Sequence, residues 1–172
     1  MIPTLTTERL VLRAPKLSDF DRYAEFRASE RARFVGGPNN RAQAWQQFAA
    51  LAGQWMVRGY GRWIVAHGAT DAPLGVVGLH HPEDWPGAEL AWSLFAAGEG
   101  QGFAEEAAIA AREFAYGSLH WPGVFSLVDP ANARSLSLAT RLGCQPDGVF
   151  QHPVFGDMHI WRHPTARELR TT

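Results

Sequence analysis

The chain has 172 residues, 46% of them hydrophobic and 12% aromatic, enough apolar material for a sizeable core and too much for wholesale disorder. Sixteen Lys and Arg against seventeen Asp and Glu leave a formal net charge of −1. A protein that grips nucleic acid through its phosphates shows a basic excess or stripe, and neither is present. The single cysteine, Cys144, can form no internal disulfide and no Cys-rich zinc site.

Nothing between Met1 and Arg13 reads as a signal peptide, and no window reaches the roughly eighteen apolar residues of a membrane span. The expectation is one domain over 1–172, cytoplasmic, with no metal and no nucleic-acid or membrane partner. No repeat, low-complexity run or Ser/Gly-rich linker interrupts the chain.

The elements follow in order. Arg9 to Arg13 alternates Leu10 and Leu12 and reads as a strand. Ser18 with Asp21 three residues later predicts a capped start for a short helix carrying Phe20, Tyr23, Ala24 and Phe26. Phe34 to Asn40 is a loop. Arg41 to Val57 predicts a second helix, with Trp45, Phe48, Ala49, Ala52, Trp55 and Met56 on its apolar face. Arg62–His67, the continuous apolar run Leu74–Leu79 and Ala88–Phe95 read as three strands, the middle one buried on both faces.

A helix from Phe103 to Tyr116 with the stripe Phe103, Ala107, Ala110 and Phe114 comes next, closed by Gly117. Gly123–Val128 is a strand, and Ala133–Leu142 a helix that turns Leu138, Ala139 and Leu142 inward. Gly148–Phe155 and Met158–Arg162 are the final strands, with Gly156-Asp157 as their turn. The pattern predicts an α/β (α+β) domain with about four helices around one sheet of about six or seven strands.

Two constellations carry chemistry. Gly98, Gly100 and Gly102 alternate between a strand end and a helix start. Glycine lets the backbone come close to a ligand, and the helix start offers unpaired N–H groups at the positive end of its dipole, so the amides from Gly100 through Gln101, Gly102 and Phe103 to Ala104 predict a phosphate cradle. It is neither a P-loop, for there is no Gly-Lys-Ser/Thr, nor a dinucleotide fingerprint, because Phe103 stands where the third glycine belongs. In the second constellation, Asp129-Pro130 ends a strand and Asn132 is placed to cap the next helix. Ser135 then points toward the interior face that holds Leu138 and Ala139.

In order and spacing, Thr7–Arg13 (T-E-R-L-V-L-R), Gly98–Ala107 (G-E-G-Q-G-F-A-E-E-A) and Val128–Cys144 together resemble the GNAT superfamily of acyl-CoA-dependent N-acetyltransferases. The branch most resembled is the Rim type, which includes ribosomal-protein N-terminal acetyltransferases. The resemblance implies a mostly antiparallel sheet splayed between Ala88–Phe95 and Gly123–Val128. Acetyl-CoA would be the cosubstrate in that V, its pantetheine along Leu94, Phe95 and Ala96. In the family's Gln/Arg-x-x-Gly-x-Gly/Ala motif, Gly102 and Ala104 fill the last two defined places, while Glu99 stands where Gln or Arg is usual. Asn132 would contact the coenzyme or its thioester end, and Ser135 would lie near the sulfur, which makes both candidates for the chemical step.

The implied reaction is direct attack of an amine on the thioester. The acceptor is a peptide N-terminus or a small-molecule amine, and homodimers are common in the family. Glu89 is the expected base, with His80, His81 and Glu83 as alternates, and a backbone N–H around Phe95 is the expected oxyanion donor. Trp85, Trp92, Trp45 and Trp55, with His152, His159 and Trp161, are candidates for the acceptor walls. No tyrosine lies between Ala133 and Gln145 to protonate the leaving thiolate, which keeps a catalytically silent acyl-CoA-binding domain as the alternative.

Overall fold

The computed structural model describes residues 1–171. In chain order the strands and helices are β1 (Leu5–Thr6), β2 (Leu10–Arg13), α1 (Phe20–Ala28), α2 (Arg41–Arg58), β3 (Arg62–His67), β4 (Pro73–His80) and β5 (Glu89–Leu94). There follow α3 (Phe103–Gly117), β6 (Phe125–Val128), α4 (Ala133–Arg141), β7 (Gln145–His152), β8 (Gly156–Arg162) and the one-turn α5 (Ala166–Leu169). The eight strands form one sheet in the order β1-β2-β3-β4-β5-β6-β8-β7. Every neighbouring pair is antiparallel except β5 and β6.

The mixed, mostly antiparallel class is as expected, with an eighth strand supplied by the two-residue β1, too short to give a periodic signal. The last hairpin turns at Pro153–Phe155, and Gly156 already lies in β8, so Gly156-Asp157 is not the turn. His152 explains the shift: its Nδ1 accepts the N–H groups of Val154 and Phe155 at 3.1 Å each and closes the turn ahead of the glycine.

The two faces of the sheet are covered differently. On one, α1 and α2 pack Phe20, Tyr23, Phe26 and Phe48 over Ile64, Val76 and Phe95. On the other, α3 lays Phe103, Ala107, Ala108, Ala111 and Ala115 against Leu10, Leu12, Val77, Leu79 and Leu90. The buried stripe of α3 is thus mainly alanine, which lets the helix approach the sheet closely, and Ala110 and Phe114 stand at its edge. In α2 the buried face is Ala44, Phe48, Leu51 and Trp55. Trp45, Ala49 and Met56 are exposed, so the predicted stripe is rotated by about one position. The inward residues of α4 are Leu138 and Ala139, as expected, with Leu142 at its C-cap also buried.

One feature of the sheet creates the site. The parallel strands β5 and β6 share a single register pair, Glu89 with Phe125, and then diverge. A buried polar strut braces the closed end. Ser126 Oγ donates to the Leu90 carbonyl at 2.5 Å and lies 2.9 Å from His163 Nε2. The Arg112 guanidinium donates to the Leu142 carbonyl at 2.8 Å and faces His163 Nδ1 at 3.5 Å. Burial foremost, and then the Arg112 charge, pulls the His163 pKa down to about 3. The imidazole is therefore neutral, and these partners fit a proton on Nε2.

Candidate functional site

The divergence of β5 and β6 opens one end of a cavity of about 350 Å³, at the lower end of the range for small-molecule sites. Its other end runs beneath α1. β5 leads out of this cleft into the glycine loop and the start of α3. Among the described residues, the amides of Gly100, Gln101, Gly102, Phe103 and Ala104 have no acceptor in the protein. Gly100 and Gly102 hold left-handed backbone at φ of 74° and 77°. A Cβ added at Gly100 meets nothing within 4 Å, and one at Gly102 meets only the Arg9 guanidinium at 3.5 Å. The loop is therefore an open row of donors, as a bound phosphate requires. Gly98 differs. A Cβ there would sit 2.5 Å from the Leu74 carbonyl, so this glycine serves the packing of the loop on β4.

Charged side chains surround the loop. Glu99 joins Arg134 at 2.9 Å and Arg31 at 3.3 Å, gathering two guanidiniums beside the cradle. Arg9 donates to the Gln101 carbonyl at 2.9 Å and lies over the Phe103 ring. Glu106 holds Arg9 in turn, accepting from its backbone N–H at 2.9 Å and from Nε at 2.7 Å, and takes the Thr7 hydroxyl at 2.6 Å. The opening T-E-R segment and the helix start are one clamp, which goes beyond a simple interaction of Glu106 with the helix dipole.

Glu89 stands where the strands part. Only 5% exposed, it accepts from Trp85 Nε1 at 2.7 Å and from the Leu127 backbone N–H at 2.8 Å. Burial pushes its pKa up to about 7, against the lowering by these two hydrogen bonds and the Arg62 charge. A carboxyl group that titrates near neutral pH in a cleft is suited to moving a proton. His80, its cross-strand partner, lines the same cavity, and its buried Nδ1 has no partner. Burial, aided by the charges of Arg62 and His81, holds His80 neutral.

Asn132 caps α4, its side chain accepting from the Ser135 amide at 3.2 Å. Ser135 Oγ accepts from Trp92 Nε1 at 3.1 Å, which leaves its own proton free to point into the cavity. Phe95 is placed differently from the expectation. Its amide donates to the Leu74 carbonyl at 2.8 Å and its carbonyl accepts from Gly98, so it has no free oxyanion donor. Because backbone groups alternate along a strand, those of Trp92 and Leu94 turn away from β4 toward the split.

Of the other candidates, Trp85 and Trp92 line the cavity. Trp55 packs on Trp63 and Phe114 in the core, and Trp45 lies against Phe20 at the surface. His81 is turned to Tyr60, with Nδ1 2.6 Å from its hydroxyl, and Glu83 pairs with Arg58 at the surface. His152 supports Trp85 from behind, 2.7 Å from Asp84, while His159 and Trp161 do not line the cavity. Cys144 is buried elsewhere, with its thiol pKa pushed up to about 11 by burial. Among the described residues no group of three or more His, Cys, Asp or Glu side chains could hold a metal ion, and no helix is long and apolar enough to cross a membrane.

Four arginines and a tyrosine were not singled out by sequence reasoning. Arg31 and Arg134 flank the loop, and Arg27, Arg62 and Tyr23 line the cavity. Arg134 carried a readable signal. It lies in the first turn of α4, where a cation opposes the helix dipole unless an anion is nearby. Arg62 carried another, as the one charged residue of a strand that is otherwise apolar up to His67.

The model of the acetyltransferase (GNAT) domain family matches residues 9–145. A solved acetyltransferase from Agrobacterium tumefaciens is 36% identical, with a TM-score of 0.88 over 96% of each chain. An acetyltransferase of the GNAT family from Bacillus anthracis shares the fold at 16% identity and a TM-score of 0.77, covering 94% of this chain and 96% of its own. So does a ribosomal-protein-S5-alanine acetyltransferase from Vibrio fischeri, at 15% identity and a TM-score of 0.72, covering 96% of this chain and 98% of its own.

Proposed function

The chain belongs to the GNAT acetyltransferase family, and on that premise we propose that it transfers the acetyl group of acetyl-CoA to a primary amine within a ternary complex. The observation that carries this reading is Glu89 at the mouth of a cleft whose strand leads directly into the unpaired amides of the glycine loop.

Acetyl-CoA fits the residues present. The pyrophosphate would lie on the amides of Gly100, Gln101, Gly102, Phe103 and Ala104, with Arg31 and Arg134 at its side. The pantetheine would run along β5 past Leu94 and toward Phe95 and Ala96, and Asn132 would face its thioester end. In the chemical step the amine nitrogen attacks the thioester carbonyl, a C–N bond forms and the C–S bond breaks. Glu89 takes the proton that the nitrogen loses, directly or through one water. The backbone N–H groups of Trp92 and Leu94 are the donors aimed at the developing oxyanion. The leaving thiolate, with a conjugate pKa of about 8.5, needs only a hydrogen bond, which Ser135 Oγ–H supplies. The Thr7–Arg9–Glu106 clamp supports placing the chain in the Rim-type branch.

Thiol release from acetyl-CoA, followed across a panel of amines, tests the reading. The expected result is amine-dependent release that a folded Glu89→Gln variant loses. Acetyl-CoA binding with no release for any amine would mark the chain as a silent acyl-CoA-binding domain.

A further inference from the structure

Among the described residues, the acceptor end of the cavity holds two cations with no carboxylate within ion-pair distance of either. Arg62, at the start of β3, faces Gly78 of β4, which pairs in turn with Ala91 of β5. These small residues leave open the floor over which the side chain lies. A Cβ at Gly78 would come within 2.7 Å of the Arg62 Cα, so this position admits only glycine. The Arg62 guanidinium makes no hydrogen bond and no ion pair with any described residue. Arg27 reaches the same cavity from α1, and among the described residues its only side-chain partner is the neutral Asn39 Oδ1, at 3.0 and 2.5 Å. Tyr23 lies close to both, its hydroxyl without a hydrogen-bond partner.

Burial lowers the pKa of both guanidiniums, yet an arginine keeps its charge in a protein. Among the described residues only two carboxylates line the cavity. Asp84 is engaged by His152, and Glu89, bonded to Trp85 and Leu127, feels the Arg62 charge but lies beyond ion-pair distance of either arginine. Arg27 is buried and Arg62 half-buried, and an unpaired charge with little access to water is costly, so two of them side by side mark the place of a ligand's anion. The surrounding walls are aromatic: Phe26, Phe34, Trp85 and Phe155.

Resting on the acetyltransferase reading above, we propose that the acceptor is a small amine that also carries a carboxylate, an apolar α-amino acid being the simplest such molecule. Arg62, with Arg27 and Tyr23, would hold the carboxylate. The amine would then face Glu89, which shares the Arg62 face of the sheet, two strands away and two residues along β5 from Ala91. The apolar side chain would lie against the aromatic walls. A planar carboxylate matches the fork of a guanidinium in two parallel hydrogen bonds. Polyamines and aminoglycosides, which carry only positive charge, would meet two like charges here.

The test compares matched pairs, L-phenylalanine against phenethylamine and L-methionine against 3-(methylthio)propylamine. Each pair is assayed for turnover with acetyl-CoA, and for binding by calorimetry to the protein saturated with coenzyme A. The expected result is at least a hundredfold preference for the amino acid in kcat/KM, with weak or no binding of the decarboxylated partner. Arg62→Met should raise KM for the amino acid about a hundredfold, far more than for the decarboxylated amine, while any change in kcat through the lost charge near Glu89 is common to both partners and acetyl-CoA affinity is intact. Arg62→Lys, which keeps the charge, should fall between.

Equal or better use of the decarboxylated amines, or no binding of either amino acid, would overturn the proposal. So would an equal rise in KM for both partners in Arg62→Met. O-phosphoethanolamine and ethanolamine form a further pair, and preference for the phosphate alone would overturn the assignment of the anion as a carboxylate. The binding arm keeps the two readings apart. Selective amino-acid binding without turnover supports this acceptor class while refuting the acetyltransferase. Turnover without preference does the reverse.

Discussion

The Glu89 carboxylate accepts the Leu127 backbone N–H at 2.8 Å, across the gap between two strands that have already ceased to pair. It replaces the next ladder hydrogen bond of the sheet at the point where the site opens. One carboxyl group thus ties the two halves of the fold together and faces the acceptor cavity.

Its position predicts a pH profile. The base must be ionised to accept a proton, and the Glu89 pKa lies near 7. Turnover should rise with pH through about 7 and level off above it. Glu89→Gln should lower kcat/KM by about 10²- to 10⁴-fold and abolish that acid limb. Circular dichroism must accompany the assay, because a Gln amide presents an NH₂ to one of two donors, Trp85 Nε1–H or the Leu127 N–H.

The buried strut behind the split sets the acid stability. His163 titrates at about 3 when folded and near 6.5 when unfolded, so the unfolded chain binds the extra proton between those values. Its contribution is fully present above about pH 6.5 and is lost as pH falls toward 3, a change on the order of several kcal/mol. Glu89 has the opposite sign, with a folded pKa of about 7 above the usual carboxyl value of 4.5. Its contribution is present below pH 4.5 and lost as pH rises through 7. Between pH 7 and about 4.5 these two contributions are of similar size and opposite sign, so denaturant titrations over that range should show a nearly flat wild-type stability. His163→Asn should be less stable at pH 7 by about 1–3 kcal/mol, through lost hydrogen bonds, and should gain stability as pH falls, because the Glu89 contribution is then no longer offset. An equally flat profile in the variant would remove His163 from the account.

Glu99 offers a prediction with the sign reversed from the usual binding-site mutation. It occupies two guanidiniums that a pyrophosphate would use, and it adds a negative charge beside it. Glu99→Gln should tighten acetyl-CoA binding by about two- to tenfold in calorimetry, the scale expected from releasing partly exposed ion pairs. Weaker binding would mean that Glu99 holds the arginines in place for the ligand.

The loop glycines should separate by substitution to alanine. Gly98→Ala drives a Cβ into the Leu74 carbonyl and should cost about 1–3 kcal/mol of stability. Gly100→Ala meets no neighbour and should cost about 1 kcal/mol, from its left-handed backbone alone. Thermal melts of the two variants check the order.

Much of this was legible in the sequence wherever a local pattern carried it. The apolar run of β4, the glycine loop, the Asn132 cap and the inward Ser135 all stand close to where the residues alone placed them. What local pattern could not show was pairing at a distance. The partner of the Phe95 amide is set by β4, and the fate of Arg62 depends on which residues line the neighbouring strands. Glu99 looks like a lost cation until Arg31 and Arg134, each more than thirty positions away in sequence, close around it. The α2 stripe failed for a simpler reason: alanines and tryptophans on adjoining faces blur the edge between core and surface.

The most direct test of the central claim is calorimetric titration of acetyl-CoA into the wild type and into Gly102→Trp, whose bulk would cover the row of free amides. The account predicts micromolar binding by the wild type and none by the folded variant. Absence of binding by the folded wild type, or equal binding by both, would contradict it.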